Sequence, residues 1–192
     1  MTAGSGPRFT FIPTPIEGVT VVERLPIADR RGSLTRHFCA EEFARAGVVT
    51  RPVAQMNVTM TRRAGTVRGL HLQLPPAGET KVLSCMRGRL FEVAVDLRRG
   101  STTYLQHFGV ELVADDGRSL VVPPGVANGV QALEDDSVLM YLTDAPHTPD
   151  REFGLHPRDP AAAVPWPLEV VDLSDRDRSC PPFDPGAGVP AP

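Results

Sequence analysis

The chain has 192 residues, of which 41% are hydrophobic and 22% charged, and this composition suits one folded domain and excludes disorder along the whole chain. Its 20 prolines argue against long helices, because proline lacks a backbone donor and clashes with the preceding turn. The net charge of −3 excludes the strongly basic surface typical of proteins that bind nucleic acids or anionic membranes, so we expect neither as a partner.

One helix is predicted, at residues 40–46, where acidic residues open the first turn, an arginine follows late and Gly47 ends the pattern. The other segments are short, rich in β-branched and apolar residues, and separated by turn signals such as Arg31-Gly32 and Asp116-Gly117. Short strands with so little helix favour an antiparallel sandwich or barrel, and we predict an all-β jelly roll. The predicted strands are residues 19–23, 34–38, 53–60, 67–74, 81–85, 90–97, 104–113, 118–122 and 138–143.

The domain organisation is predicted to be simple. Residues 1–180 are expected to form a single domain, and no internal repeat stands out. Proline, glycine and alanine dominate residues 181–192, so we expect a flexible tail there.

The three cysteines, Cys39, Cys85 and Cys180, are widely spaced and odd in number, which fits neither a disulfide framework nor a paired-cysteine metal site. We expect free thiols in a reducing compartment. No apolar run approaches the roughly 18 residues that span a bilayer, and residues 1–15 lack the apolar core of a secretion signal. The sequence therefore predicts a cytoplasmic protein.

The segment of residues 68–74, RGLHLQL, alternates strictly after its glycine. Period-two geometry puts the leucines on one face of a strand and His71 with Gln73 on the other. If the leucines pack against a second layer, His71 and Gln73 face either solvent or a barrel lumen, and spacing alone leaves both open. A histidine in a lumen could take and return protons near neutral pH.

Other common site motifs are missing from the sequence. The histidines are His37, His71, His107, His147 and His156, and no two of them form a His-x-His pair. A metal site would have to be assembled from distant segments, so no metal and no cofactor is expected. Neither a glycine-rich nucleotide-binding motif nor a G-x-S-x-G nucleophile motif occurs.

A series of motifs runs from about residue 29 to residue 177. The motifs are Arg68-Gly69-Leu70-His71-x-Gln73, Lys81, residues 88–98 (GRLFEVAVDLR), residues 109–112 (GVEL), residues 123–127 (PPGVA), Tyr141 and Trp166-Pro167. In order and spacing they resemble the dTDP-4-dehydrorhamnose 3,5-epimerase family. The resemblance implies a cupin-type jelly roll with one or two short helices, a homodimer without metal or cofactor, and inversion of stereocentres beside the 4-keto group of a nucleotide-linked 6-deoxyhexose.

The resemblance also implies roles for four residues. A hydrogen next to a ketone is a weak acid, so its removal needs a base, and the enolate needs a positive or hydrogen-bonding neighbour. His71 matches the family's base, Asp177 the carboxylate that orients it, Lys81 the group that steadies the oxyanion, and Tyr141 the acid that returns a proton from the opposite face. From the residues alone, Asp177 could be a surface acid, Lys81 a solvated lysine and Tyr141 a core residue.

The same resemblance implies a set of substrate-binding residues: Arg31, Asn57, Arg68, Gln73 and Asn128. Arginine forks suit the phosphate oxygens of a nucleotide. Arg68 would point away from His71 on a regular strand, so both can line one cavity only if the intervening glycine permits a bulge.

The sequence departs from the family pattern at several positions. Asn128 stands where the family has a histidine, so a neutral amide replaces an ionisable ring. Ile27 and Arg36 replace an aromatic residue and a glutamate near the base, which leaves thymine or another base such as cytosine open. Leu142 and His147 replace a lysine and a tyrosine, so contacts around the sugar are expected to have changed.

The sequence thus predicts an isomerase that epimerises C3, C5 or both of a nucleotide-activated 4-keto-6-deoxyhexose. Two alternatives remain open: a single-centre epimerase of a specialised deoxysugar pathway, and a catalytically silent sugar-nucleotide binding protein.

Overall fold

The computed structural model describes residues 7–190, whose backbone consists mainly of short strands. Two short α-helices and one turn of 3₁₀ helix (Pro149–Arg151) complete the regular structure of this range. The strands are β1 (Phe9–Pro13), β2 (Thr20–Arg24), β3 (Ile27–Asp29), β4 (Gly32–Leu34), β5 (Gln55–Thr61), β6 (Val67–Gln73), β7 (Lys81–Arg87), β8 (Arg89–Asp96), β9 (His107–Val113), β10 (Arg118–Val122), β11 (Val126–Ala132), β12 (Ser137–Thr143) and β13 (Glu152–Gly154), and the helices are α1 (Ala40–Arg45) and α2 (Asp175–Arg178).

Two antiparallel sheets face each other. The first has six strands in the order β1-β2-β10-β7-β12-β5, the second has five in the order β13-β6-β11-β8-β9, and β3 pairs with β4 in a separate hairpin. Buried apolar side chains of both sheets, such as Leu83 and Leu120 from the first and Leu90 and Leu112 from the second, form one cluster. This all-β architecture is the cupin-type jelly roll that the sequence predicts.

Alternation along the strands decides which side chains face the space between the sheets. On β12, Tyr141 packs against the cluster between the sheets, whereas Met140 and Leu142 belong to a cluster that includes Phe43 of α1. Helix α1 therefore covers the outer face of the six-stranded sheet.

The C-terminal segment packs against the five-stranded sheet, which corrects the prediction of a flexible tail for residues 181–190. Val189 is buried, and its N–H donates to the carbonyl oxygen of Leu97 at 2.7 Å. The ring of Phe183 packs edge-on against Phe153 of β13. The composition of the segment predicted flexibility, but a few apolar side chains suffice to hold a proline-rich segment against a sheet. The last two residues lie outside the described range.

Most predicted strands are confirmed within a few residues, and the predicted helix matches α1. The strand predicted at residues 34–38 is wrong, because the chain leaves the β3–β4 hairpin after Leu34. Five strands, β1, β3, β4, β11 and β13, were not predicted. Strand β11 contains alanine, asparagine and glycine, which are poor strand formers, but it lies between β6 and β8, and this pairing overrides its weak propensity.

The thiols of Cys39, Cys85 and Cys180 are free, as the sequence predicts. Among residues 7–190, no helix has the length and apolar character needed to cross a membrane.

Candidate active site

A cavity of about 460 Å³ lies between the two sheets, within the size range of small-molecule sites. Strands of both sheets contribute to its wall. Across residues 7–190, no three His, Cys, Asp or Glu side chains are grouped as a metal ion would require. The polar lining residues are Gln55, Asn57, Thr59, Arg68, His71, Glu79, Lys81, Asn128, Tyr141, Thr143, His147 and Glu152.

The ring of His71 on β6 is paired with a buried carboxylate. Its Nε2 lies 2.5 Å from Oδ1 of Asp177, which is 2% exposed, and the N–H of Gly69 donates to Oδ2 at 3.3 Å. Burial alone would raise the pKa of Asp177, but the hydrogen bonds from His71 and Gly69 outweigh it and hold this pKa below its ordinary value. A carboxylate at Nε2 holds the ring proton there and leaves Nδ1 free to act as a base.

Helix α2 delivers the carboxylate to the barrel. Ser174 precedes the helix, and its Oγ accepts a hydrogen bond from the N–H of Asp177 at 3.0 Å. This N-cap satisfies a donor that the first turn would otherwise leave free. Asp177 is therefore held by its own local sequence as well as by the histidine, and it is not a surface acid.

Strand β6 contains the bulge that a shared cavity for Arg68 and His71 requires. His71 pairs with Asn128 and Arg68 with Val130, so β6 advances three residues while β11 advances two. Gly69 has φ +113°, and a Cβ atom there would lie 2.7 Å from the carbonyl oxygen of Asn128. Only glycine fits this close approach, and the extra residue turns both side chains into the cavity.

Tyr141 lines the cavity from β12, in the sheet opposite His71. Burial raises the pKa of its phenol, the charges of Glu79 and Glu152 raise it further, and Arg68 partly opposes them. The phenol therefore keeps its proton at neutral pH. In this state Tyr141 can donate a proton across the cavity from His71.

The ammonium group of Lys81 bridges the two sheets. From β7, its Nζ donates to Oδ1 of Asn128 on β11 at 2.8 Å, and it lies 3.2 Å from Oε1 of Glu79. The side chain is 13% exposed, so Lys81 is not a solvated lysine. A positive charge held at the cavity wall is suited to stabilise a developing oxyanion.

Two predicted binding residues do not line the cavity. Gln73 is buried: its Nε2 donates to Oε2 of Glu79 at 3.2 Å, and its Oε1 accepts from the N–H of Thr148 at 2.5 Å. Gln73 therefore supports Glu79. Arg31 lies in the exposed β3–β4 hairpin and pairs with Asp29 at 2.6 Å. A direct substrate contact by either residue stays a prediction.

The other predicted binding residues meet in the cavity. Asn57 on β5 is the strand partner of Tyr141. Arg68 reaches from β6 to β5, where its Nε donates to Oγ1 of Thr61 at 3.1 Å and its Nη2 to the carbonyl oxygen of Met60 at 3.2 Å. These bonds hold the guanidinium at the cavity wall.

The departures from the family pattern separate into two groups. Asn128 and His147 line the cavity. Leu142 packs outside the barrel, so the expectation that it changes a sugar contact is wrong for this chain. Arg36 pairs with Glu42 of α1 at 3.2 Å, away from the cavity lining.

Three carboxyl groups in or beside the cavity were not predicted from the sequence. Glu79 had a weak local signal, because it lies only two residues before Lys81 in the sequence. Glu152 has no such signal, since its strand is only three residues long. Glu92 interrupts an apolar strand and is completely buried.

A jelly-roll barrel whose cavity holds a histidine–aspartate pair opposite a protonated tyrosine, with an ammonium group beside them, defines a cupin-type enzyme built for proton transfer. Residues 13–185 match the family model of dTDP-4-dehydrorhamnose 3,5-epimerase. A dTDP-4-dehydrorhamnose 3,5-epimerase of Sinorhizobium fredii is 38% identical over 167 residues, which is 86% of this chain and 85% of that relative. The chain belongs to the dTDP-4-dehydrorhamnose 3,5-epimerase family.

Solved structures agree with this assignment. The crystal structure of dTDP-4-dehydrorhamnose 3,5-epimerase from Bacillus anthracis, with TDP and PPi bound, has a TM-score of 0.87 and 35% identity and covers 91% of this chain and 99% of that one. A double variant of a 3'-monoepimerase from Streptomyces bikiniensis, in complex with dTDP, has a TM-score of 0.82 and 33% identity and covers 88% of this chain and 85% of that one. In that variant a histidine is changed to asparagine and a tyrosine to phenylalanine.

Proposed function

We propose that this chain epimerises a nucleotide-linked 4-keto-6-deoxyhexose at C3, C5 or both. The observation that carries the proposal is the pairing of His71 with Asp177 on one cavity wall, with Tyr141 on the other. Inversion of a carbon requires that a proton leave one face and return to the opposite face, and two proton-transfer groups on opposite walls meet this requirement.

Each step of the reaction is assigned to a side chain. Nδ1 of His71 removes the hydrogen next to the ketone, and the ammonium of Lys81 stabilises the enolate oxygen that forms. The phenol of Tyr141 then protonates the same carbon from the other side, and solvent restores both groups. No step needs a metal, so elemental analysis of the active enzyme should find none in stoichiometric amount.

The relatives support a thymidine nucleotide. The Bacillus structure contains TDP and the Streptomyces variant contains dTDP. The two residues substituted in that variant are as far apart along its chain as His71 and Tyr141 are along this one. We infer that the substrate is dTDP-linked and that Arg68 meets its phosphates. Calorimetric titration with dTDP and with CDP tests this choice of base.

The experiment that tests the activity is turnover of dTDP-4-keto-6-deoxyglucose in D2O, followed by NMR at each carbon. Deuterium at C3 and C5 with inverted products would identify a 3,5-epimerase, and deuterium at one carbon a single-centre epimerase. Asn128 favours the second outcome, because it replaces an ionisable ring of the family pattern. Binding without any deuterium incorporation would identify a silent binding protein and refute the proposal.

We further propose that the protein is a homodimer in the cytoplasm. Strand β5 is an edge of the six-stranded sheet, and Met56, Val58 and Met60 on its outer face are 67%, 61% and 51% exposed. An open apolar edge of this kind is suited to pairing with a second copy. Light scattering should give twice the mass of one chain, and Val58→Asp should shift the measured mass toward that of one chain.

The three free thiols support the proposed reducing compartment.

A further inference from the structure

A buried carboxyl group behind the cavity wall takes no part in the proposed steps. Glu92 on β8 is 0% exposed, and neither of its oxygens has a hydrogen-bond partner of normal length among the described residues. Glu92 pairs with Val130 on β11, and its neighbour two residues on, Ala94, pairs with Asn128. Residues two apart on a strand share a face, so Glu92 and Asn128 are diagonal neighbours on one face of the sheet.

Two polar groups act on this carboxyl. Burial raises the pKa of Glu92 to about 8, while the side-chain amide of Asn128 and the charge of Lys81 oppose the rise. Glu92 is therefore mainly neutral at pH 7. A neutral buried carboxyl still offers a carbonyl oxygen as an acceptor, and leaving it without a donor has a free-energy cost.

The orientation of the Asn128 amide follows from Lys81. An ammonium group has donors and no acceptor, so the atom of Asn128 that faces it at 2.8 Å must be the carbonyl oxygen Oδ1. The Nδ2 group is then the remaining hydrogen-bond donor of the Asn128 side chain. The carboxyl of Glu92 offers the acceptor that suits this donor, so the two needs are complementary.

Lys81 depends on this orientation. Its Nζ is held between Oδ1 of Asn128 and Oε1 of Glu79. If the amide of Asn128 turned over, its Nδ2 would face the ammonium, and two donors would repel each other. The ammonium would then move toward Glu79 and away from Asn128.

We propose that Glu92 is a positioning residue, which orients the Asn128 amide so that Oδ1 holds the Lys81 ammonium where the enolate oxygen develops. This inference rests on the proposed function, in which Lys81 stabilises that oxygen. Glu92 acts through Asn128 and touches no substrate.

The first test compares two substitutions of the buried carboxyl. Glu92→Met keeps the length of the side chain but removes the acceptor, and we expect kcat to fall about tenfold, the value of one hydrogen bond, with KM within twofold. Its Tm should be equal or higher, because replacing a buried polar group by an apolar one often stabilises a fold. Glu92→Gln keeps an acceptor and should restore most of the lost kcat. A parallel loss of Tm and kcat in Glu92→Met would indicate a merely structural role and overturn the proposal.

The second test asks whether Glu92 acts through Asn128. In an Asn128→Ala background, Glu92→Met should cause less than a twofold further loss of kcat. A further loss of about tenfold in the Asn128→Ala background would overturn the proposal. Equal kcat values for the parent and the single variant Glu92→Met would also overturn it.

A third readout needs no turnover. The side-chain amide protons of Asn128 should exchange with solvent at least tenfold faster in Glu92→Met than in the parent, measured by NMR. Equal exchange would overturn the role of Glu92. Failure of the parent to turn over the sugar nucleotide would instead overturn the proposed function, so the two failures are distinguishable.

Discussion

Asp177→Asn is the substitution whose effect the structure defines most closely. Oδ2 accepts from the N–H of Gly69, and Oδ1 faces Nε2 of His71 at 2.5 Å. Asparagine has one oxygen, and the N–H of Gly69 needs it as an acceptor. The side-chain NH2 group must then face the histidine, which would force Nε2 to accept and move the ring proton to Nδ1.

Two losses follow from this reversal. Nδ1, the nitrogen proposed as the base, carries a proton, and the imidazolium loses its negative partner. A hydrogen bond to a charged group contributes about 1.5–3 kcal/mol, which corresponds to a 10- to 150-fold loss of rate. We therefore expect kcat of Asp177→Asn to fall by at least about tenfold, and further because of the wrong tautomer, while KM changes little.

The assay is the rate of deuterium incorporation from D2O into dTDP-4-keto-6-deoxyglucose. Asp175→Asn is the matched control, because Asp175 lies exposed on the same helix and is expected to leave the rate unchanged. An Asp177→Asn rate within twofold of the parent would refute the assignment of His71 and Asp177 as the base pair.

Three further predictions concern the acid, the bulge and the buried carboxyl. Tyr141→Phe should reduce formation of the inverted product at least about 100-fold while deuterium exchange by His71 continues. The control Tyr104→Phe should change neither the product rate nor the exchange rate. Equal losses of product in the two variants would contradict the role of Tyr141. Gly69→Ala adds a steric clash to a positive φ and should lower Tm by about 5–15 °C. This loss should be at least twice that of Gly100→Ala, because a Cβ atom at Gly100 meets nothing within 4 Å. Equal losses of Tm in the two variants would contradict the tight bulge. Between pH 5 and 8 the folded protein keeps the proton of Glu92 that the unfolded chain has released, so stability falls as pH rises, and Tm of Glu92→Gln should fall less over this range than Tm of the parent.

Local patterns predicted much of the barrel. Strands with strict alternation and clear turns, such as residues 118–122, were located to the residue. The same alternation required a bulge at Gly69 if Arg68 and His71 were to share a cavity, and the register shift confirms it. These features depend on neighbours along the chain, which the sequence displays directly.

Features that depend on distant segments were harder to predict. Strand β11 forms because β6 and β8 flank it, although its own residues favour strands weakly. The packing of Val189 and Phe183 against the barrel arises from contacts that composition does not reveal. Ser174 and Asp177 have the spacing of an N-cap, which predicts the start of a helix, but the burial of Asp177 beside His71 depends on the distant strand β6.

The position of Gln73 shows the limit of alternation as evidence for a site. It lies on the same side of the strand pattern as His71, yet its amide is consumed by protein partners at the end of β6. Alternation tells which face a side chain takes, whereas the cavity covers only part of that face. Residue type alone could not separate a substrate contact from a group that supports Glu79.

His71 is assigned as the base that begins epimerisation, and the His71→Asn variant is the decisive test of this assignment. Deuterium incorporation at C3 and at C5 of dTDP-4-keto-6-deoxyglucose is measured in D2O for the parent, His71→Asn and the control His107→Asn, whose residue is exposed on β9. We expect incorporation with the parent and the control and none with His71→Asn, at a Tm close to that of the parent. Incorporation by a folded His71→Asn variant at the parent's rate would contradict the assignment.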